Sequence, residues 1–180
     1  MLEQHNSILT VIDMQEKLIK ASYESDIIAE KAKKITKAAS ILSIPTIITE
    51  QYPKGLGQTH EEIKRAVSNK AVYLEKTSFS AVREESFQSI IKQLPQKQII
   101  LCGIETHICV LQTAIELMQK GYEVYILKDC CSSRTQEEKD IGLELLKQYG
   151  IKIVSVEIVI FEWLKSSKHT NFKEIQSLIK

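Results

Sequence analysis

Short apolar runs alternate along the chain with longer segments in which apolar residues recur every three or four positions. The runs are rich in Val, Ile and Thr, and they predict strands at residues 7–12, 46–49, 71–74, 98–102, 123–127 and 152–156. The longer segments predict helices at residues 26–43, 59–67, 84–94, 106–120, 135–149, 157–164 and 171–179. Thr135 and Glu138 form a capping box at the start of one helix, and Gly150 ends that helix.

The alternation of strands and helices predicts the fold class. Strands joined through helices pair in parallel, and both faces of such a sheet are covered, which explains the near-continuous Val, Ile and Leu runs. We therefore expect a three-layer α/β fold with right-handed crossovers. The 180 residues contain no linker-like or low-complexity segment, so we expect a single domain over residues 1–180.

Composition restricts the classes of partner. Lys and Arg number 24 and Asp and Glu number 23, which gives a formal net charge of +1. This balance lacks the basic excess of a nucleic-acid-binding domain, so we expect no nucleic-acid partner. No apolar run approaches the ~20 residues of a membrane span, so we expect no membrane partner. RNA binding or cleavage stays open as an alternative, which a steep salt dependence of binding would support.

The cysteines indicate a reducing environment. Cys102, Cys109, Cys130 and Cys131 include two sequence neighbours and no C-x-x-C pair, which is a poor framework for disulfides or zinc. Residues 1–6 are polar rather than signal-like. We therefore expect a cytoplasmic location, with mitochondrial import left open, and we interpret Cys130 and Cys131 as small buried residues.

Three side chains capable of catalysis stand at the ends of predicted strands. Asp13, Lys76 and Cys109 follow the first, third and fourth strands, and the carboxyl ends of parallel strands form the ligand-binding edge of such a sheet. Singly, each has an ordinary structural interpretation; together they favour a reaction centre. Cys109 lies in the first turn of a predicted helix, where free N–H groups favour a thiolate, and the Lys76 ammonium would lower the thiol pKa further. Asp13 would serve as the proton acceptor.

Other residues near this edge are weaker candidates. We expect the substrate pocket to include two amides and one aromatic ring, Gln15, Gln51 and Phe79. His107 is two positions from Cys109, and residues so spaced on a helix do not face one another, so we expect at most a minor role for it. Arg134 is expected to pair with a carboxylate such as Asp129.

Several segments resemble a known family. Three segments resemble the three motifs of the isochorismatase-like cysteine hydrolases: V-I-D-M-Q at 11–15, E-K-T-S-F-S-A at 75–81 and C-G-I-E-T-H-I-C-V at 102–110. The isochorismatase domain-containing subgroup is similar to this chain at T-E-Q-Y-P-K-G-L-G (49–57), D-C-C-S-S-R (129–134) and F-K-E-I-Q-S-L-I-K (172–180). The order of these segments and their coverage of the chain identify the family better than any one motif.

The resemblance implies a fold and a site. It implies a Rossmann-like sheet of strand order 3-2-1-4-5-6 and a catalytic triad of Asp13, Lys76 and Cys109. It also implies a cis peptide bond between Ile104 and Glu105 and an oxyanion hole formed by the backbone N–H groups of Glu105 and Cys109. Members of the family are commonly homo-oligomers, so we expect one here.

Departures from the wider family bear on the chemistry. Isochorismatases that cleave an enol ether lack the nucleophilic cysteine, so Cys109 indicates covalent acyl chemistry. Nicotinamidases bind a metal through an Asp-x-His pair and a further His after the second strand, whereas residues 51–60 contain only His60. We therefore expect no metal and no other cofactor, and we interpret His60 as a helix-capping or surface residue. The Glu105 carboxylate either makes a structural contact or faces the site, where it would disfavour acidic substrates.

The sequence thus predicts a cysteine hydrolase that cleaves a small-molecule amide, or a related C–N or ester bond, through a thioester. A catalytically silent interaction or regulatory protein on the same scaffold is the alternative, and the reactivity of the Cys109 thiol near neutral pH would separate the two. The C-terminal helix carries an apolar stripe that we expect to form an intersubunit or docking surface, namely Phe172, Ile175, Leu178 and Ile179.

Overall fold

A six-stranded parallel sheet forms the middle layer of the structure, a computed structural model that describes residues 1–179. Its strands are β1 Ser7–Ile12, β2 Thr46–Gln51, β3 Val72–Lys76, β4 Gln98–Ile104, β5 Glu123–Ser132 and β6 Lys152–Val154. They lie in the order β3-β2-β1-β4-β5-β6, and each neighbouring pair is parallel. The predicted α/β class and the strand order implied by the resemblance are both confirmed.

Helices cover both faces of this sheet. They are α1 Glu16–Lys20, α2 Ser25–Ile41, α3 Pro53–Leu56, α4 Glu61–Ala66, α5 Glu85–Gln93, α6 Leu111–Gln119, α7 Gln136–Gln148, α8 Val156–Leu164 and α9 Phe172–Ile179. Helix α2 packs against α4, α8 and α9 on one face, and α6 packs against α7 on the other. The central strands β1 and β4 are buried at every position, which explains their continuous apolar runs. Within residues 1–179, no helix has both the length and the apolar character needed to cross a bilayer.

Strand β5 continues to Ser132, beyond the end predicted at residue 127. Lys128 is exposed and Asp129 is half-buried, so these polar positions interrupt the apolar run and suggested a loop. Cys130 and Cys131 return to full burial within the strand. Their interpretation as buried residues therefore agrees with the structure, although they lie in the strand and not after it.

Glycine allows β1 and β4 to approach closely at the carboxyl edge. Gly103 has a φ of 142°, and a Cβ atom there would overlap the carbonyl oxygen of Ile12 on β1. The register between β4 and β5 also shifts here, between Leu101 and Gly103. The end of β4 therefore requires glycine at position 103, because any side chain there would overlap the backbone of β1.

A π-helical turn, Thr106–Val110, replaces the start of the helix predicted at residues 106–120 and leads into α6. Helix α7 packs tightly on this turn, because a Cβ atom on Gly142 would lie 2.9 Å from both N and Cα of His107. The short helices α1 and α3 were not predicted, since four or five residues are too few to show a helical period.

The apolar stripe of α9 packs against this chain. Ile175 is fully buried, and Phe172, Leu178 and Ile179 pack on the core beside α2 and α8. Because Phe172, Leu178 and Ile179 are only partly buried, the role of this stripe as an intersubunit or docking surface stays a prediction. Lys180, the last residue of the segment 172–180, lies outside the described residues.

Candidate active site

The carboxyl edge of the sheet brings Asp13, Lys76 and Cys109 together. Asp13 follows β1 in the left-handed conformation (φ 51°), and its N–H donates to the carbonyl of Thr49 on β2 over 3.1 Å. Lys76 is the last residue of β3, and its Nζ lies 2.7 Å from Oδ2 of Asp13 and 3.6 Å from Sγ of Cys109. Cys109 reaches this point from the π-helical turn after β4. The strand order thus places the three side chains where the order reverses.

The Asp13 carboxylate is withdrawn from water. Its side chain has no exposed surface, and its Oδ1 accepts a hydrogen bond of 2.7 Å from the Thr49 hydroxyl. Beyond the ion pair with Lys76, Oδ2 accepts no hydrogen bond from a protein group in the part of the chain that the structure describes. Burial raises the pKa of Asp13, and the nearby ammonium opposes that rise. The group is therefore a stronger base than an ordinary aspartate, with room for one more proton donor.

The Lys76 ammonium is surrounded by oxygen acceptors. Apart from Asp13, its Nζ donates to Oε1 of Gln51 at 2.6 Å, to the carbonyl of Phe79 at 3.0 Å and to the carbonyl of Ser78 at 3.1 Å. An ammonium has three N–H bonds, so these three oxygens together with the Asp13 carboxylate leave no N–H bond without an acceptor. Lys76 is thus fixed as an internal cation and has no N–H left for a bound anion.

The surroundings of the Cys109 thiol favour its protonated form. Burial raises its pKa to about 12; the Asp13 carboxylate adds to the rise, and the Lys76 ammonium opposes it less strongly. The expectation that the helix start and Lys76 would together favour a thiolate is therefore wrong. The sequence showed the cation near the thiol, but it did not show how completely the thiol and its neighbouring carboxylate are removed from water.

Two backbone N–H groups, those of Glu105 and Cys109, belong to the residues that line the cavity beside the thiol. The Ile104–Glu105 peptide bond is cis. Among residues 1–179, the N–H of Glu105 has no acceptor, and the N–H of Cys109 has none outside its own turn. Free backbone donors of this kind are what an oxyanion requires.

The Glu105 carboxylate is held by the segment after β5. Its Oε1 accepts from the backbone N of Arg134 at 3.2 Å and from Nε at 3.0 Å. Arg134 thus pairs with a carboxylate, as expected, but the carboxylate is Glu105 and not the example Asp129. Asp129 lies within β5, where it accepts from the N–H of Val156 at 2.9 Å and pairs with Lys31 at 3.2 Å.

A cavity of about 160 Å³ opens on the thiol. The side chains that line it are mostly apolar: Asp13, Leu18, Gln51, Leu56, Phe79, Ile104, Glu105, Ile108 and Cys109. Gln51 and Phe79, two of the residues predicted for the pocket, are among them. Leu18 and Leu56 were not predicted, because they lie on the short helices α1 and α3, which show no helical period in the sequence. Both follow strand ends, so the same rule that selected Asp13 would have found them.

Sequence comparison shows the family to which the chain belongs. The family model described as the isochorismatase domain matches residues 7–158, which include Asp13, Lys76 and Cys109. The chain belongs to the isochorismatase family. Isochorismatase domain-containing protein 2 of Danio rerio is 41% identical over 180 residues, which cover 99% of this chain and 89% of that protein.

Solved structures of other proteins share the isochorismatase-like fold. A Caenorhabditis elegans protein described as MAR1 ribonuclease is 36% identical with a TM-score of 0.94, over 99% of this chain and 91% of that one. The Escherichia coli YcaC gene product, described as an octameric hydrolase of unknown specificity, is 20% identical with a TM-score of 0.88, over 99% and 94% of the two chains. The latter similarity concerns the fold alone. Membership of this family supports a hydrolase function.

Gln15 of this isochorismatase-like chain lies behind the cavity and not in it. Its side chain is fully buried, and its Nε2 donates to the carbonyls of Gln51 at 3.0 Å and Gly57 at 2.5 Å. Its Oε1 accepts from the N–H of Gln51 at 2.7 Å. The predicted pocket residue therefore has no amide group left for a substrate; it closes the loop that carries Gln51 and Leu56.

The two histidines singled out from the sequence lie apart from the thiol. His107 turns away from the cavity: its Nδ1 lies 2.9 Å from the Ser133 hydroxyl, and its Nε2 lies 3.5 Å from Oε2 of Glu138. His60 precedes α4 without a side-chain capping bond, and its Nε2 lies 3.8 Å from Oε2 of Glu16. Among the described residues, no three or more His, Cys, Asp or Glu side chains have the arrangement of a metal site.

Proposed function

We propose that residues 1–180 act as one hydrolase domain that cleaves a small-molecule amide, or a related C–N or ester bond, through a thioester on Cys109. The observation that carries the proposal is the contact between a buried ion pair and a buried thiol at the base of a cavity. Lys76 Nζ lies 2.7 Å from Asp13 and 3.6 Å from Cys109.

The first half of the reaction is acylation. Oδ2 of Asp13 takes the Sγ proton of Cys109 while the sulfur electron pair forms a bond to the substrate carbonyl carbon. The carbonyl oxygen gains the displaced electron pair and is bound by the N–H groups of Glu105 and Cys109. Collapse of this intermediate breaks the C–N bond, the leaving nitrogen takes the proton from Asp13, and a thioester remains.

The second half is hydrolysis. A water molecule gives a proton to Asp13 as its oxygen bonds to the thioester carbonyl carbon, and the same N–H groups bind the oxyanion. Collapse breaks the C–S bond, the acid leaves, and the proton on Asp13 returns to the sulfur. Each proton carried by Asp13 is thus handed on within one turnover.

Proton transfer inside this site changes no net charge. Before transfer the site holds a carboxylate, an ammonium and a neutral thiol; afterwards it holds a carboxylic acid, the same ammonium and a thiolate. The raised pKa of Asp13 favours the transfer, and the Lys76 ammonium stabilises whichever partner is negative. A thiol with a pKa of about 12 can therefore act as a nucleophile near neutral pH without ionising at rest.

The test is a panel of small amides and esters with three proteins. Cys109→Ala should abolish turnover, and wild type should form a thioester adduct visible by intact mass. Cys102→Ala is the matched control. Cys102 is also a buried cysteine, but it lies on β4 and has no contact to Asp13 among the described bonds. Turnover that persists in Cys109→Ala would refute the mechanism. Failure of all substrates in wild type would favour the catalytically silent alternative.

Ribonuclease activity is the second candidate, because the C. elegans relative carries that description. The cavity opposes it: among the described residues that line it, no side chain is cationic, whereas RNA recognition places Lys and Arg on phosphates. RNA cleavage that Cys109→Ala abolishes, with binding that falls steeply with salt, would favour the ribonuclease.

We also propose that the protein is a homo-oligomer of a reducing compartment. The octameric E. coli relative supports assembly, and Ile158 and Phe161 on α8 present exposed apolar surface. The four cysteines are free and buried, as expected where disulfides are not needed. Light scattering of the purified protein tests the assembly, and a monomer at micromolar concentration would contradict it.

A further inference from the structure

We propose that the substrate carries an uncharged, apolar acyl group no larger than a six-membered ring, and that the site rejects acyl groups bearing a carboxylate. This inference rests on the proposed function, since it assumes that Cys109 receives the acyl group. Three features of the cavity support it: the chemistry of its walls, its volume and the absence of an available cation among its described residues.

The cavity walls offer apolar contact in place of hydrogen bonds. Apart from Asp13 and Cys109, only two of its lining side chains are polar. Gln51 is one, and each end of its amide already has a protein partner: Oε1 accepts from Lys76, and one N–H of Nε2 donates to the carbonyl of Thr77 at 2.9 Å. The remaining walls are Leu18, Leu56, Phe79, Ile104 and Ile108. Selection must therefore act mainly through size and charge.

The volume sets the upper size. The cavity holds about 160 Å³. An apolar protein cavity of about 150 Å³ is known to bind benzene. A butanoyl, pentanoyl or benzoyl group therefore fits, whereas a fused two-ring group exceeds this volume and would have to extend into solvent past the exposed Phe79 ring or displace wall residues.

The electrostatics oppose an anion. The second polar wall residue is Glu105, so the cavity is bordered by two carboxylates, those of Asp13 and Glu105. The Lys76 ammonium has no free N–H, and the Arg134 guanidinium, which contacts Oε1 of Glu105, is mostly exposed and does not line the cavity. A substrate carboxylate would lose its water and gain no cationic partner. We expect about a 100-fold or larger loss of kcat/KM against a neutral analogue of the same size.

Paired probes separate this proposal from the proposed chemistry. Pentanamide and succinamate have similar size and differ in a terminal carboxylate; benzamide and 1-naphthamide differ in size. Turnover is measured in wild type as ammonia release, and binding is measured in Cys109→Ala by ligand-observed NMR. We expect binding and turnover for pentanamide and benzamide, weaker binding and slower turnover for 1-naphthamide than for benzamide, and neither for succinamate.

Variants of the wall test the cause. Leu56→Lys places a cation in the cavity and should raise succinamate binding at least tenfold, whereas Leu56→Met, the matched control, should not. Glu105→Gln removes one bordering charge and should narrow the preference for pentanamide over succinamate. Unfolding curves show whether each variant is folded, and the wild-type probe pairs decide the question if one is not.

Each outcome bears on one proposal. Neutral amides that bind but are not hydrolysed would support the substrate class and contradict the role of Cys109. Equal use of succinamate and pentanamide would overturn the substrate class and leave the thioester chemistry standing. Absence of binding by both neutral amides would also overturn the substrate class.

Discussion

Replacing Lys76 by Met should destabilise the fold more than replacing Asp13 by Asn, although both changes remove the same buried ion pair. In Lys76→Met, the Asp13 carboxylate keeps only the Thr49 hydroxyl at 2.7 Å as a side-chain partner. In Asp13→Asn, the ammonium keeps three oxygen acceptors, at 2.6, 3.0 and 3.1 Å. Leaving one member of a buried pair uncompensated costs about 3–5 kcal/mol, so we expect that range for Lys76→Met. We expect about 1–3 kcal/mol for Asp13→Asn.

The cost of Lys76→Met should depend on pH. Lys76 lowers the pKa of Asp13, so its loss raises that pKa further above the ordinary value of about 3.9. The folded variant then binds the Asp13 proton more tightly than the unfolded chain does. Its stability must fall as the pH rises above about 3.9, until the raised pKa is passed. Urea denaturation at several pH values between 4 and 8 measures this slope.

Two further variants complete the experiment. Lys31→Met breaks the partly exposed pair with Asp129 and should cost less than about 1 kcal/mol at every pH, which makes it the control for loss of a lysine. The Asp13→Asn, Lys76→Met double variant buries neither charge and should be more stable than Lys76→Met alone. Equal costs for the two single variants, or a cost of Lys76→Met that does not change with pH, would refute the reasoning.

Three other predictions concern the turn that carries the thiol. Asp13→Asn should move the pH profile of Cys109 alkylation by iodoacetamide to lower pH, because the Asp13 carboxylate raises the pKa of the thiol; peptide mass spectrometry measures the profile, and an unchanged midpoint would contradict this. His107→Ala should lower kcat about tenfold at nearly constant KM, because the turn loses its bond to Ser133. His107→Asn can keep that bond and should restore most activity, and equal losses of kcat for the two variants in steady-state assays would contradict this role of the bond. Gly142→Ala should lower the free energy of unfolding by about 1–3 kcal/mol, since its Cβ would meet His107 at 2.9 Å, and an unchanged urea midpoint would show that the contact relaxes freely.

The fold was largely predictable because parallel strands have a simple signal. Buried strands read as apolar runs, and the helices between them have a clear period, so β1 was placed with its observed ends. The extension of β5 was not predictable, because Lys128 and Asp129 sit at the strand margin where one side chain reaches water and the other pairs with Lys31. Short elements such as α1 and α3 carry too few residues for any period to appear.

The site was predictable in its members but not in its electrostatics. The rule that ligands bind at strand ends selected Asp13, Lys76 and Cys109. Along the chain, Asp13 and Lys76 are 63 positions apart, and Lys76 and Cys109 are 33 positions apart. The pKa of the thiol depends on burial and on distances among all three, which no spacing along the chain reveals. The position of Gln15 was missed for the same reason, because its side-chain direction depends on where the 51–57 loop closes.

The strand order determines when the reactive site can exist during synthesis. A ribosome makes Asp13 and Lys76 early, but β1 occupies the middle of the sheet, and its second edge stays unpaired until residues 98–104 emerge. Cys109 follows only a few residues later, so the nascent chain receives its thiol just as β4 closes over β1. An incomplete chain that ends before β4 therefore carries Asp13 and Lys76 but not Cys109, so the three side chains can meet only after β4 has been made.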